Sequence, residues 1–241
     1  MRILSSSLLV AFFFSLAAVP TADAWVGSSL KASVTKYDIR AAAKAKRSMP
    51  KKTARPASVE LPAIAKGGLL WGDPEATTTI VMFTDMECPF CRRFHELTFP
   101  ALKKDYIDVK NVRFVVRHFP LSFHAYAGPA ARAVVCARKQ GDDKARTLYE
   151  NLMTAKELNG AAIKDAIVAV PGIDAAIIEQ CVAAADTQAV VDADFKAGTD
   201  SGISGTPSFL IIGSTGTTKT IRGAYPIASF VEAIGAVQTN K

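Results

Sequence analysis

The most apolar run in the chain comes first. Residues 8–19, centred on Phe12, Phe13 and Phe14, follow Arg2 and lead into Pro20 and the small-residue pattern Ala22-Asp23-Ala24. A positive charge, an apolar stretch and an A-x-A site in that order read as a secretory signal peptide over residues 1–24, cleaved after Ala24. The rival reading is an uncleaved anchor, but the apolar stretch is shorter than the roughly 20 residues that span a bilayer. No Cys follows it, so thioether attachment of a lipid is not available. Residues 25–60 change character: basic, poor in aromatics and interrupted by prolines, with a helix-compatible stretch at 33–48 that has no wide apolar stripe. They read as a solvated leader, an oligomerisation arm, a membrane-surface contact or the second half of a bipartite targeting signal.

From Leu61 onward the pattern is that of one domain, residues 61–241. Residues 77–84 and 112–117 are β-branched and apolar runs of strand length, and the helix-length segment 89–106 lies between them. Four Ala-rich helical segments follow, at 121–137, 144–156, 161–170 and 174–198, punctuated by Gly160 and Pro171-Gly172. Residues 208–213 and 219–222 form a hairpin across a Gly/Ser/Thr turn, and 227–237 is an amphipathic closing helix. The order predicts an α/β fold in which a helical block, about 121–200, interrupts a βαβ unit and a ββα unit.

Composition adds two points. With 49% hydrophobic and 21% charged residues, the 241-residue chain is neither disordered, collagen-like nor a multi-span membrane protein. The net charge of +7 belongs to the N-terminus: ten of the 29 Lys/Arg but two of the 22 Asp/Glu fall in residues 1–55, leaving the remainder at −1. A nearly neutral body argues against nucleic acid as a partner.

The chemistry is in the four cysteines. Cys88-Pro89-Phe90-Cys91 falls between the first strand and the first helix. At a helix N-terminus, free N–H groups and the macrodipole stabilise a thiolate at Cys88, and three-residue spacing lets Cys91 resolve what Cys88 attacks. Two alternatives stand beside redox exchange. Cys88, Cys91 and His95 supply three zinc ligands, without a fourth at finger-like spacing, and a static bridge across two residues would close almost no loop entropy. Glu87 and His95 are candidates for tuning the thiol, against plain roles as a solvated acid and a packed ring. His118 and His124 flank Phe119-Pro120-Leu121 as polar lining beside a loop. Cys136 and Cys181, 45 positions apart, read as a structural disulfide in an exported chain, worth about 4 kcal/mol in the loop-entropy account. Their alternatives are two buried thiols or a relay to the active site. Gly205-Thr206-Pro207 opens the hairpin, either as an ordinary strand start or as a cis Thr206-Pro207 bond beside an extended substrate.

Together, the run 83–91, Phe94, the 117–121 strand end, Gly205-Thr206-Pro207 and Gly223-Ala224 resemble the DsbA-like group of the thioredoxin superfamily, over residues 69–237. The resemblance implies a thioredoxin fold with an inserted helical domain and thiol-disulfide exchange with exported, cysteine-containing client proteins. It implies Cys88 as the attacking thiol, a cis-Pro loop at Thr206 and Pro207 for substrate, and no cofactor beyond the redox-active Cys88–Cys91 disulfide. It further implies an outside redox partner and, since the group is chiefly bacterial, a periplasmic location. The chain departs from the strong oxidases of the group, which carry Pro-His between the cysteines where this one has Pro89-Phe90. Phe90 offers a thiolate neither charge nor a hydrogen bond, so Cys88 is expected to be less acidic than in those enzymes, and disulfide formation competes with reduction or isomerisation as the net reaction, an oligomer through the N-terminal arm included, and with a non-catalytic thioredoxin-fold chaperone whose disulfide does not turn over.

Overall fold

Seven consecutive buried residues, Thr78–Thr84, form the central strand of the sheet. A strand buried on both faces needs no polar alternation, and Thr-Thr-Ile-Val-Met-Phe-Thr has none. The computed structural model describes Glu60 and residues 62–238. The signal peptide (1–24) and almost all of the basic arm (25–60) read from the sequence lie outside the described residues.

The sheet has the order β1-β3-β2-β4-β5, with β1 at Leu69–Trp71, β2 at Thr78–Thr84, β3 at Val112–His118, β4 at Ser208–Ile212 and β5 at Thr218–Arg222. β2 and β3 are parallel, with Ile80 opposite Phe114, and the other three pairings are antiparallel. A parallel neighbour requires a crossover. Here it consists of α1 (Pro89–Leu97), α2 (Phe99–Leu102) and a π-helical turn at Lys103–Ile107. The single helix expected over 89–106 is broken at Thr98, because Pro100 carries no N–H and both proline and the residue before it resist mid-helix geometry.

Side chains alternate across the sheet into two cores. Ile80 and Met82 point to the larger one, with Phe94, Phe114, Phe209 and Phe230. Val81 and Phe83 point to the smaller one, with Val115, Phe119 and Leu210. Helices α3 (Ala127–Arg138), α4 (Asp142–Thr154), α5 (Gly160–Val168), α6 (Ala175–Val182) and α7 (Ala185–Asp200) lie between β3 and β4 in the chain, and α8 (Ile227–Gln238) closes the larger core. The ring of Phe195 on α7 stacks on Phe119 with centroids 4.3 Å apart. The buried Arg117–Asp194 ion pair, 2.6 Å, joins β3 to α7. Gly198 is required at that contact, since a Cβ there would come within 2.7 Å of the Phe119 ring.

Three local differences from the sequence reading have tertiary causes. The helix expected from residue 121 begins at Ala127, because backbone N–H groups of the preceding turn bond to carboxylates elsewhere in the fold. The helix expected over 174–198 is two helices: Ala184 is extended at ψ 139°, and the Thr187 hydroxyl donates to the Cys181 carbonyl at 2.9 Å, turning the chain despite its alanines. Strand β1 went unread because three residues are too few for a period. It is held by Gly68, where a Cβ would meet the Val116 carbonyl oxygen at 2.8 Å, and its edge is partly occupied by Arg146, whose Nη1 donates to the Leu70 carbonyl at 2.7 Å. At the other edge β5 is mostly exposed.

Candidate active site

The site is built where β2 ends. The chain leaves the sheet after Thr84, residues 85–88 turn, and Cys88 becomes the N-cap of α1, with Pro89 in the first turn, where its missing N–H costs nothing. Cys88 is 4% exposed and Cys91, one turn further on, 0%. The cover of Cys88 includes the loop before β4, where Thr206-Pro207 is cis and the Cys88 thiol donates to the Thr206 carbonyl at 3.4 Å. That carbonyl is therefore engaged while Cys88 is protonated. Ser208 and Gly223 brace the loop, the Ser208 hydroxyl donating to Gly205 O at 2.7 Å and the Gly223 N–H to Pro207 O at 2.8 Å.

The two thiols are pushed in opposite directions. Cys88 falls from its ordinary value to about 5, chiefly through a hydrogen bond from Cys91, helped by the Thr206 side chain and the N–H groups of Cys91 and Phe90, and opposed by burial. Cys91 is pushed well above its ordinary value, first by burial and then by the hydrogen bond to Cys88 and its charge. Against this, the Asp85 N–H donates to the Cys91 sulfur at 3.5 Å. Near neutral pH the pair thus holds one thiolate at the helix N-terminus and one buried proton beside it, the division of labour that attack and resolution require.

The tuning residues divide. Phe90 is 57% exposed and contributes its N–H, not its ring, to the thiolate. His95 takes the packed role of its two readings: it lies against Phe99 (centroids 5.2 Å) and Tyr149 (5.8 Å), and burial lowers its pKa to about 4, leaving it uncharged at neutral pH. Glu87 is turned away from the thiols, its Oε2 accepting the Tyr126 N–H at 2.6 Å ahead of α3. His118 is buried in neutral form, burial lowering its pKa, and its backbone N–H donates to Asp194 at 2.9 Å.

Sequence reasoning missed Asp85. Its side chain is 0% exposed. Oδ1 accepts the N–H groups of Glu87 (2.8 Å) and Cys88 (3.3 Å), while Oδ2 lies 2.8 Å from both the Leu121 nitrogen and His124 Nδ1. The available signal was an acid three positions before an N-cap, the spacing of a side-chain turn. Cys136 and Cys181 lie far from this loop in sequence and are joined by an S–S bond of 2.09 Å between α3 and α6. Among the described residues no group of three or more His, Cys, Asp or Glu is arranged to hold a metal ion.

A five-stranded sheet with this crossover, a Cys-x-x-C at the first helix and a cis-proline loop opposite defines a thioredoxin fold carrying a helical insertion. A family model described as Thioredoxin matches residues 65–222. The chain belongs to that family, as a DsbA-like member of the thioredoxin superfamily. The crystal structure of Pseudomonas aeruginosa DsbA2 superposes with a TM-score of 0.57 at 27% identity, covering 78% of this chain and 98% of that one. Disulfide bond formation protein D of Bacillus subtilis is 41% identical over 49 residues, 20% of this chain and 22% of that protein. The Na+/H+ antiporter NhaA 3 of Salinispora tropica is 41% identical over 71 residues, 29% of this chain and 10% of the antiporter. The matched stretches span between 10% and 39% of the lengths of the curated relatives.

Proposed function

We propose that the chain is an exported thiol-disulfide oxidoreductase that forms disulfides in cysteine-containing client proteins. The observation that carries this is the Cys88 sulfur at the N-cap of α1, against the Thr206 carbonyl, with its pKa lowered to about 5 while Cys91 stays protonated beneath it. A low-pKa thiol is a good leaving group and stabilises the dithiol form, which makes the disulfide form an oxidant. In the oxidised protein a client thiolate attacks the Cys88 sulfur. The Cys88–Cys91 bond breaks, and its electron pair leaves on Cys91, which takes up a proton. A second client thiolate then attacks the client sulfur of the mixed disulfide, forming the client disulfide and expelling Cys88 as thiolate. Two electrons have moved from client to enzyme, and an outside disulfide or quinone-type oxidant must remove them. The cis-proline loop at Thr206 and Pro207 is the surface for the client backbone, and the chemistry needs no cofactor besides the two sulfurs. The name of the Bacillus subtilis relative supports the oxidative direction. Export, with a periplasmic destination, rests on the pattern of residues 1–24.

The deciding measurement is the reduction potential of the Cys88/Cys91 couple in glutathione redox buffers. A value well above that of thioredoxin-type reductants is expected, and a strongly reducing one would overturn the oxidase in favour of a reductase. Alongside it, Cys88→Ala abolishes exchange and Cys91→Ala accumulates mixed disulfides. Exchange that survived Cys88→Ala would remove Cys88 from the mechanism.

A further inference from the structure

Two carboxylates of the redox loop reach the same turn. Asp85 accepts from Leu121 and His124, and Glu87 from Tyr126, so both side chains hold the six-residue segment 121–126 that opens the helical insertion. Asp85 alone also faces the other way, holding the N–H groups of Glu87 and Cys88. A fully buried carboxylate is tolerable only if its oxygens are satisfied, and this one has four partners and, when His124 is protonated, a counter-charge. His124 is in turn held by the exposed Phe123 ring, 4.5 Å away edge-on.

We propose that Asp85 is the positioning residue for Cys88, its carboxylate fixing the turn that seats the thiol over the first N–H groups of α1 and tying that turn, through His124, to the mouth of the helical insertion. The geometry is specific in both halves. With Oδ1 on the nitrogens of Glu87 and Cys88, and the Cys88 N–H also reaching the Asp85 carbonyl at 3.2 Å, the Cys88 Cα is fixed relative to the end of β2. With Oδ2 on Leu121 and His124, the whole turn is fixed relative to the insertion. Cys88 is then within reach of the donors that hold its thiolate: Cys91, Thr206 and the N–H of Phe90. The ionisable groups around Asp85 are Cys88, Cys91 and His124, Glu87 being turned to Tyr126.

The inference rests on the proposed exchange function for its biological meaning, but its test reads the thiol itself. Thiolate absorbance at 240 nm, followed against pH in the reduced full-length protein, gives the Cys88 titration whether or not the parent turns over clients; absence of turnover in the parent bears on the function alone. Asp85→Ala is expected to move the Cys88 midpoint up by about one pH unit, a tenfold loss of thiolate at pH below the midpoint. Asp85→Asn, which keeps an Oδ1 acceptor for the Glu87 and Cys88 nitrogens, recovers at least half of that shift. His124→Ala strips Oδ2 of one donor and moves the midpoint in the same direction by a smaller amount, about two- to threefold in thiolate fraction. A general loss of packing would not be rescued by Asn. Parent-like titration in both Asp85→Ala and His124→Ala overturns the proposal, as does an Asn variant shifted as far as the Ala variant. If Asp85→Ala fails to fold, His124→Ala decides, and an unshifted midpoint there overturns it.

Discussion

Cys88 and Cys91 are chemically the same group one helical turn apart, and position alone separates them. The first looks onto unpaired N–H groups of α1, while the second lies under it with no exposed surface. The consequence for pH has a definite sign. The folded Cys88 value, about 5, lies below the ordinary 9.0 of an unfolded chain, so its thiolate stabilises the folded dithiol protein in full above pH 9, and that contribution is lost as pH falls through about 5. Alkylation of the reduced protein with iodoacetamide should therefore be half-maximal near pH 5; a midpoint near that of a free thiol would refute the arrangement. This much was legible in Cys-Pro-Phe-Cys, because helix-start chemistry is local. The expected weakening by Phe90 rested on its side chain, whereas what Phe90 supplies is its N–H, which any residue but proline has. Of Asp85 only the local turn to Glu87 and Cys88 carries a sequence signal: its partners at Leu121 and His124 lie 36 and 39 positions away, and nothing in the chain near residue 85 announces them.

Among the elements, strands and helices with a clear period were readable, and two of the departures, at residues 121–126 and 183–184, occur where a distant group competes with local propensity. Alanines at 183 and 184 would continue a helix, and they do not because Thr187 caps the Cys181 carbonyl and Cys181 is bonded to Cys136. That bond ties α3 to α6 across a separation of 45 residues. Replacing both cysteines by alanine is expected to lower the unfolding free energy by up to about 4 kcal/mol, read from urea titrations, with the reduction potential of the Cys88/Cys91 couple unchanged. A fall of less than about 1 kcal/mol would mean that the bridge contributes little restriction to the unfolded chain. The break at Thr98 follows from Pro100 and could have been read, since a proline two residues into a helical pattern marks a restart.

For the molecule as a whole, the charge division matters more than its sum. Residues 56–241 carry 19 basic and 20 acidic side chains, so a nearly neutral body is joined to a strongly basic N-terminal stretch. Light scattering on the protein beginning at residue 25 and on a version beginning at residue 60 should give the same number of chains per particle if residues 25–59 are a solvated leader; loss of an oligomer with the arm would assign assembly to it. The ends of the sheet have a consequence of another kind. Under the proposed function the protein would meet unfinished, extended chains, which add as strands along any unpaired sheet edge, the route by which unfolded polypeptides aggregate. Here β1 is three residues long, with the Leu70 carbonyl already taken by Arg146, and β5 carries Lys219 and Arg222 among its exposed positions. Both edges discourage an incoming backbone, and under the proposed function this leaves the cis-proline loop, beside Cys88, as the place for an extended client to pair.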